Sequence, residues 1–266
     1  MQTSIFLNGT IKNNSKSMKE EQIKDIVFKY NDSDERVFHP HPISRMMANV
    51  IDVKSDDIVL DLCTGSGIFA IVAAHFGAQK VFAVDLSPYS LKTAKNNALL
   101  NNIPEDKLEF IESDYFSNVP DVKFDKIYSN PPCMPICDEC LSENEYFKLA
   151  VNGGYDGSFF YNKVINESIS YLKPDGELII PVPKWSNWKS IIYAIEQKYT
   201  YKVIAKDDVR YYLSDNSPQL KNCIKRLSDR GIIDVSIVNE EIYAEVLICK
   251  CIPKQHNPLS LNLQSK

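Results

Sequence analysis

The chain has 266 residues, 44% of them hydrophobic, and a formal charge of −5 with its histidines neutral. That length and apolar content suffice for one large α/β domain with a sizeable core, while the acidic balance offers no global attraction to a phosphate backbone, so nucleic acid is not expected as a partner. No apolar run forms a signal sequence or approaches the ~20 residues of a membrane span, and seven cysteines, an odd number, fit reduced thiols better than a disulfide framework; the expectation is a cytoplasmic monomer or small homo-oligomer with no membrane partner.

Residues 1–42 read as an N-terminal extension. The first 20 are polar and predict a partly mobile arm, and "DIVFKYNDSDERVFHPHP" alternates about Asn31-Asp32-Ser33-Asp34, which predicts a β-hairpin. Ile43, Met46, Met47 and Val50 keep helical spacing over 43–53. "DIVLDLCTGSG" is then a strand entering a glycine turn, and "IFAIVAAHFGA" an apolar helix ended by Gly77.

The alternation repeats with "KVFAVDLS" as strand, "SLKTAKNNALLNN" as helix, and "LEFIESD" and "FDKIYSNPP" as strands. A helix at 159–172 leads through a turn at Lys173-Pro174-Asp175-Gly176 to the strand "ELIIPVP". Strands and helices alternating in this way predict a Rossmann-like, doubly wound, mostly parallel seven-stranded sheet, with ligands at the carboxyl ends of its strands. After the helix "SNWKSIIYAIEQKY", the late strands "YKVIAKDDVRYYL" and "EIYAEVLICKCI" bracket an excursion at 214–243 that holds the helix "SPQLKNCIKRLSDRGI". The main domain is thus expected over 43–252, followed by a flexible tail at 253–266.

Candidate ligand groups collect at the strand ends. Asp61 precedes the turn Cys63-Thr64-Gly65-Ser66-Gly67, whose glycines let the backbone approach a ligand. Asp85, followed by Leu86, ends the next strand, where a carboxylate can take both hydroxyls of a ribose. Asp114, followed by Tyr115, ends the third, where a carboxylate can accept an adenine amino hydrogen.

Three acidic strand ends followed by Asn130-Pro131-Pro132 at a fourth resemble the class I S-adenosylmethionine-dependent methyltransferases over roughly residues 37 to 183. The third glycine of a dinucleotide-binding turn is replaced by Ala70, which separates the chain from nicotinamide dehydrogenases. The resemblance implies S-adenosyl-L-methionine as cofactor. Its methionyl portion would be held by Asp61 and the 63–67 turn, its ribose by Asp85, and its adenine by Asp114 and Tyr115, with Leu86 and Asn130 also among the cofactor-binding residues.

"VFHPHPISR", "DLCTGSG" and "NGGYDG" narrow the resemblance to the HemK/PrmC protein-glutamine methyltransferases. In such enzymes the Asn side chain and the first Pro carbonyl, here Asn130 and Pro131, accept the hydrogens of a planar target nitrogen, on which a following aromatic ring stacks. This chain departs from that pattern twice. The stacking position is Cys133, with Phe38, Tyr155 or Phe159 as replacement rings, and the region before the hairpin is too short for a release-factor-binding domain. A protein or peptide amide is therefore the leading acceptor class. A biosynthetic small molecule methylated at N or O, an RNA or DNA base, and a non-catalytic subunit of the same fold remain alternatives.

Two further features concern the acceptor end. Cys133, Cys137 and Cys140 have the spacing that holds an iron–sulfur cluster in radical enzymes, and His41 could instead complete a zinc site, but free thiols in a substrate loop are the preferred reading and no metal is assigned. His39 and His41 flank Pro40 near the expected active-site mouth, where His41 could orient substrate or accept a proton.

Overall fold

A computed structural model describes residues 18–31, 37, 40–136, 150–211 and 218–254. Strands β1 (Met18–Ile23) and β2 (Ile26–Asn31) pair antiparallel, from Met18 opposite Asn31 to Ile23 opposite Ile26. The hairpin lies earlier than the sequence suggests. Its turn is Lys24 and Asp25, with Lys24 at φ 56°, and residues 18–20 of the expected arm are strand. The run of strong turn formers at 31–34 drew the expectation past a turn whose left-handed residue is a lysine, an uncommon choice.

Next in the chain come α1 (Pro42–Asn49), β3 (Ile58–Leu62), α2 (Ile68–His75), β4 (Lys80–Asp85), α3 (Pro88–Leu100), β5 (Leu108–Glu112) and β6 (Phe124–Ser129). They are followed by α4 (Phe159–Ser168), β7 (Leu172–Pro183), α5 (Trp188–Lys198), β8 (Tyr199–Arg210), α6 (Pro218–Asp229), β9 (Ser236–Val238) and β10 (Glu241–Pro253). The main sheet runs β5-β4-β3-β6-β7-β10-β8, and β9, too short to show a pattern in sequence, pairs β10 as an added strand. Pairing is parallel from β5 through β7 and antiparallel where β10 meets β7 and β8. The fold is the expected Rossmann-like one.

The expected turn at 173–176 is instead an irregularity inside β7: the register against β6 shifts between Phe124 and Lys126, and Gly176 passes so close to Phe124 that a Cβ there would lie 2.8 Å from its carbonyl oxygen. From β3 the chain steps through β4 and β5 on one side, then returns to place β6 and β7 on the other. This reversal opens a crevice at the carboxyl ends of β3 and β6, where such sheets bind ligands.

Helix α2 has no polar face because every residue from Ile68 to Ala74 is buried. The hairpin joins the same core through the fully buried Ile26 and Phe28. It is also fastened to α3 by the N–H groups of Val27 and Lys29, which donate to Asn101 Oδ1 and Asn97 Oδ1, each at 2.9 Å. No helix among the described residues is long and apolar enough to cross a membrane.

Candidate active site

The crevice holds a cavity of ≈ 390 Å³. Its floor is the turn after β3, and Asp61 fixes that turn from below. Asp61 is fully buried and outside the cavity wall; its Oδ2 accepts from Thr64 Oγ1 at 2.6 Å and from the Ala70 N–H at 2.9 Å, joining the strand end to the start of α2. Burial outweighs those two hydrogen bonds and pushes the carboxyl up to about 7. The folded state therefore keeps a proton that the unfolded chain releases from about pH 4 upward, so stability falls as pH rises toward 7 and then levels off. Replacing Asp61 by Asn removes this dependence. The thermal midpoint of the variant relative to the parent is expected to climb between pH 5 and pH 7 in calorimetry, and a constant difference would refute the assignment.

Above Asp61, residues 63–66 line the cavity, and Gly65 donates its N–H to Asp85 Oδ2 at 2.8 Å. Asp85 Oδ1 takes the Ser87 N–H at 2.9 Å, and burial raises this carboxyl also. Gly67 stands behind the wall, where its φ of 89° and a Cβ position 2.9 Å from Ala94 Cβ require glycine. Asn97 ties this turn to the hairpin by donating from Nδ2 to the Ser66 carbonyl at 3.0 Å while its Oδ1 holds Lys29.

Leu86, Asp114 and Tyr115 complete the β4 and β5 side of the wall. Tyr115 stacks on Phe160 at 5.3 Å and 14°, and Lys163 Nζ lies 4.7 Å from the Tyr115 ring centre and 3.4 Å from Asp114 Oδ1. Cys63 and Tyr115 both hold left-handed backbone, at φ 64° and 51°, a strain that side chains other than glycine accept where the surroundings dictate it.

The β6 side carries Asn130, Pro131, Pro132, Cys133 and Met134, faced by His41, Ile43, Ser44, Ala150, Val151 and Trp185. Residues 133–136 are zipped to 151–154 by the Met134 N–H to the Val151 carbonyl at 2.9 Å and the Gly153 N–H to the Met134 carbonyl at 2.8 Å. Burial, with the nearby Arg45 charge, lowers His41 to about 4, so its imidazole is neutral at neutral pH. The buried Cys133 thiol lies against Trp185 and the Tyr161 hydroxyl, and burial pushes it up to about 11, which keeps it protonated.

Among the described residues the wall contains two carboxylates, Asp85 and Asp114, and no lysine or arginine. A cavity of this charge suits a cationic ligand such as a sulfonium. The family described as ribosomal protein L11 methyltransferase (PrmA) matches residues 40–138, short of half the chain. A Methanocaldococcus jannaschii protein with the provisional name of a protein N5-glutamine methyltransferase is 40% identical over 131 residues, 49% of this chain and 64% of that one. The ribosomal protein uL3 glutamine methyltransferase of Francisella tularensis is 36% identical over 161 residues, 57% of this chain and 51% of that one. The tRNA m1G37 methyltransferase of M. jannaschii superposes with a TM-score of 0.53 at 19% identity, over 90% of this chain and 58% of that one. The chain carries a class I S-adenosylmethionine-dependent methyltransferase domain.

The chain spans between half and two thirds of the length of these curated relatives, which belong to more than one methyltransferase subfamily. The same fold serves a tRNA-modifying enzyme, which overturns the expectation that nucleic acid is an unlikely partner: net charge averages over a surface, and docking depends on the local field.

Two expected substrate residues lie elsewhere or beyond view. Tyr155 is 58% exposed and outside the cavity wall, with its hydroxyl accepting from Arg230 at 2.9 Å. Phe38 falls outside the described residues, as do Cys137 and Cys140. Among the described residues no three His, Cys, Asp or Glu side chains gather to hold a metal.

Phe160 and Trp185 are wall residues that the sequence did not announce. Phe160 follows Phe159, which is 65% exposed, and nothing in the local pattern says which ring turns inward. Trp185 reads as helix packing, since its place behind Cys133 depends on residues distant in the chain.

Proposed function

We propose that the domain transfers a methyl group to the side-chain amide nitrogen of a protein, with glutamine as the acceptor residue. The observation that carries this reading is the place of Asn130 and Pro131, just past the end of β6 and in the cavity wall, with Ile43, Cys133, Met134, Ala150 and Val151 among the apolar residues of the same wall. Apolar neighbours of this kind can take the methylene stem of an amide side chain, and the two relatives named for glutamine methylation support the assignment.

Bound S-adenosylmethionine supplies a methyl group already activated as a sulfonium, so the protein's task is to position and desolvate the acceptor. On this reading the 63–66 turn holds the methionyl portion, with Asp61 bracing it from beneath. Asp85 and Leu86 border the ribose, and Asp114, Tyr115 and Phe160 border the adenine. Asn130 Oδ1 and the Pro131 carbonyl accept the two amide hydrogens and aim the nitrogen at the methyl group, while Pro132 and Cys133 continue the wall. His41, neutral in the same wall, can help to orient the acceptor.

The test is transfer of a labelled methyl group to the protein and RNA fractions of a cell extract. Label is expected in protein, resistant to nuclease, with the added mass of one methylene on a glutamine after peptide mapping. Label confined to RNA or to small molecules would overturn the proposal.

A further inference from the structure

We infer that α6 and the adjoining 155–160 segment form a docking face for single-stranded nucleic acid, beside the methyl-transfer cavity. The inference concerns where the enzyme docks and holds whichever atom it methylates. Leu220, Cys223, Ile224 and Leu227 bury one face of α6, which leaves Lys225, Arg226 and, just beyond the helix, Arg230 exposed to solvent. Lys189 joins them, since its Nζ donates to the Gly231 carbonyl at 3.1 Å. Among the described residues no carboxylate forms an ion pair with Lys189, Lys225, Arg226 or Arg230, whereas Lys126, Lys163, Lys173, Lys184 and Lys250 all have one. A chain of net charge −5 thus gathers four cations at one place, where they outnumber Asp229, the acidic residue of that helix.

Rings adjoin the charge. Arg230 donates to the Tyr155 hydroxyl at 2.9 Å, which brings the basic end of α6 against an exposed aromatic side chain. Gly154, next to Tyr155, packs against Phe159 so closely that a Cβ would lie 3.1 Å from that residue's Cβ. Phe159, 65% exposed, meets Phe160 edge to face at 5.0 Å, and Phe160 is in the cavity wall. A track of Lys225, Arg226, Arg230, Tyr155 and Phe159 therefore ends at the active site. Cations that take phosphates, interleaved with rings on which bases stack, make up the two halves of a single-strand binding surface. An acidic protein would use the charges and leave the rings without a role.

The experiment is fluorescence anisotropy of a fluorescein-labelled 15-nucleotide oligouridine with the full chain saturated with S-adenosylhomocysteine. Charge reversal of Lys225, Arg226 and Arg230 to Glu is expected to weaken binding more than tenfold and to flatten the salt dependence by about 0.7 per lost phosphate contact. Tyr155→Ser and Phe159→Ser are expected to weaken it several-fold at unchanged salt slope. Retained S-adenosylhomocysteine binding by each variant separates these effects from misfolding. An oligouridine affinity that the charge-reversed variant keeps would overturn the inference, as would equal binding of a labelled oligoglutamate. Failure here leaves the labelling result for the acceptor untouched.

Discussion

Asn130→Ala is expected to lower kcat by roughly 10²–10³-fold while the affinity for S-adenosylhomocysteine stays within about twofold, because an acceptor-positioning group acts on the reacting atoms and not on the cofactor's body. The fold gives the variant little reason to fail. β6 pairs with β3 only as far as Ser129 opposite Leu62, so Asn130 is the first residue beyond that ladder. The cofactor contacts proposed above come from the turn after β3, from the ends of β4 and β5, and from Phe160 on α4, while Asn130 follows β6. Asn130→Asp keeps an acceptor oxygen and should recover part of the rate, which an effect on packing alone would not do. Single-turnover methyl transfer to the labelled acceptor reads both variants, and unchanged turnover in Asn130→Ala would show that the amide hydrogens are held elsewhere.

The parts of this site that could be read in the sequence are those whose chemistry is local. A strand, a glycine turn and a helix in succession place Cys63, Gly65 and Ser66 in the cavity wall, and carboxylates at or just past the end of a parallel strand lie beside the crevice, where Asp85 and Asp114 join its wall. What remained hidden depends on contacts between distant segments. Asp61 occupies a strand end like the others, yet its hydrogen bonds to Thr64 and Ala70 turn it inward, beneath the floor. Cys133 looks like a gap where an aromatic ring belongs until Trp185 and Tyr161, both fully buried, are found packed around its thiol. A ring at 133 would need the space those two already fill. The basic face of α6 was equally invisible, since its cations are diluted in sequence by the apolar residues of the buried face and become adjacent only on a helix.

Gly157→Ala is expected to destabilise the protein by about 2–4 kcal/mol, a sum of the left-handed backbone cost and of overpacking, and to impair methyl transfer in the molecules that fold. Gly157 has φ 77°, and a Cβ there would lie 2.5 Å from the Cys133 carbonyl oxygen and 2.8 Å from Ser186 Oγ. Ser186 itself donates to that same carbonyl, so the oxygen is held from one side while the new methyl group presses from another. Gly153 closes the remaining side, its Cβ position 2.8 Å from the Cys133 backbone. The carbonyl therefore has no free direction except along the chain, toward Pro132, Pro131 and Asn130, and two consecutive prolines pass a displacement on because their φ angles are fixed. Gly77→Ala provides the comparison. At φ 104° with nothing within 4 Å, it carries the backbone strain without the collision. Urea unfolding should show the smaller loss for Gly77→Ala, and the folded Gly77 variant should keep full kcat, whereas the Gly157 variant should bind S-adenosylhomocysteine normally and turn over slowly. Equal effects of the two substitutions on both stability and kcat would mean that the 150–158 segment does not aim Asn130, and that its glycines serve the chain turn alone.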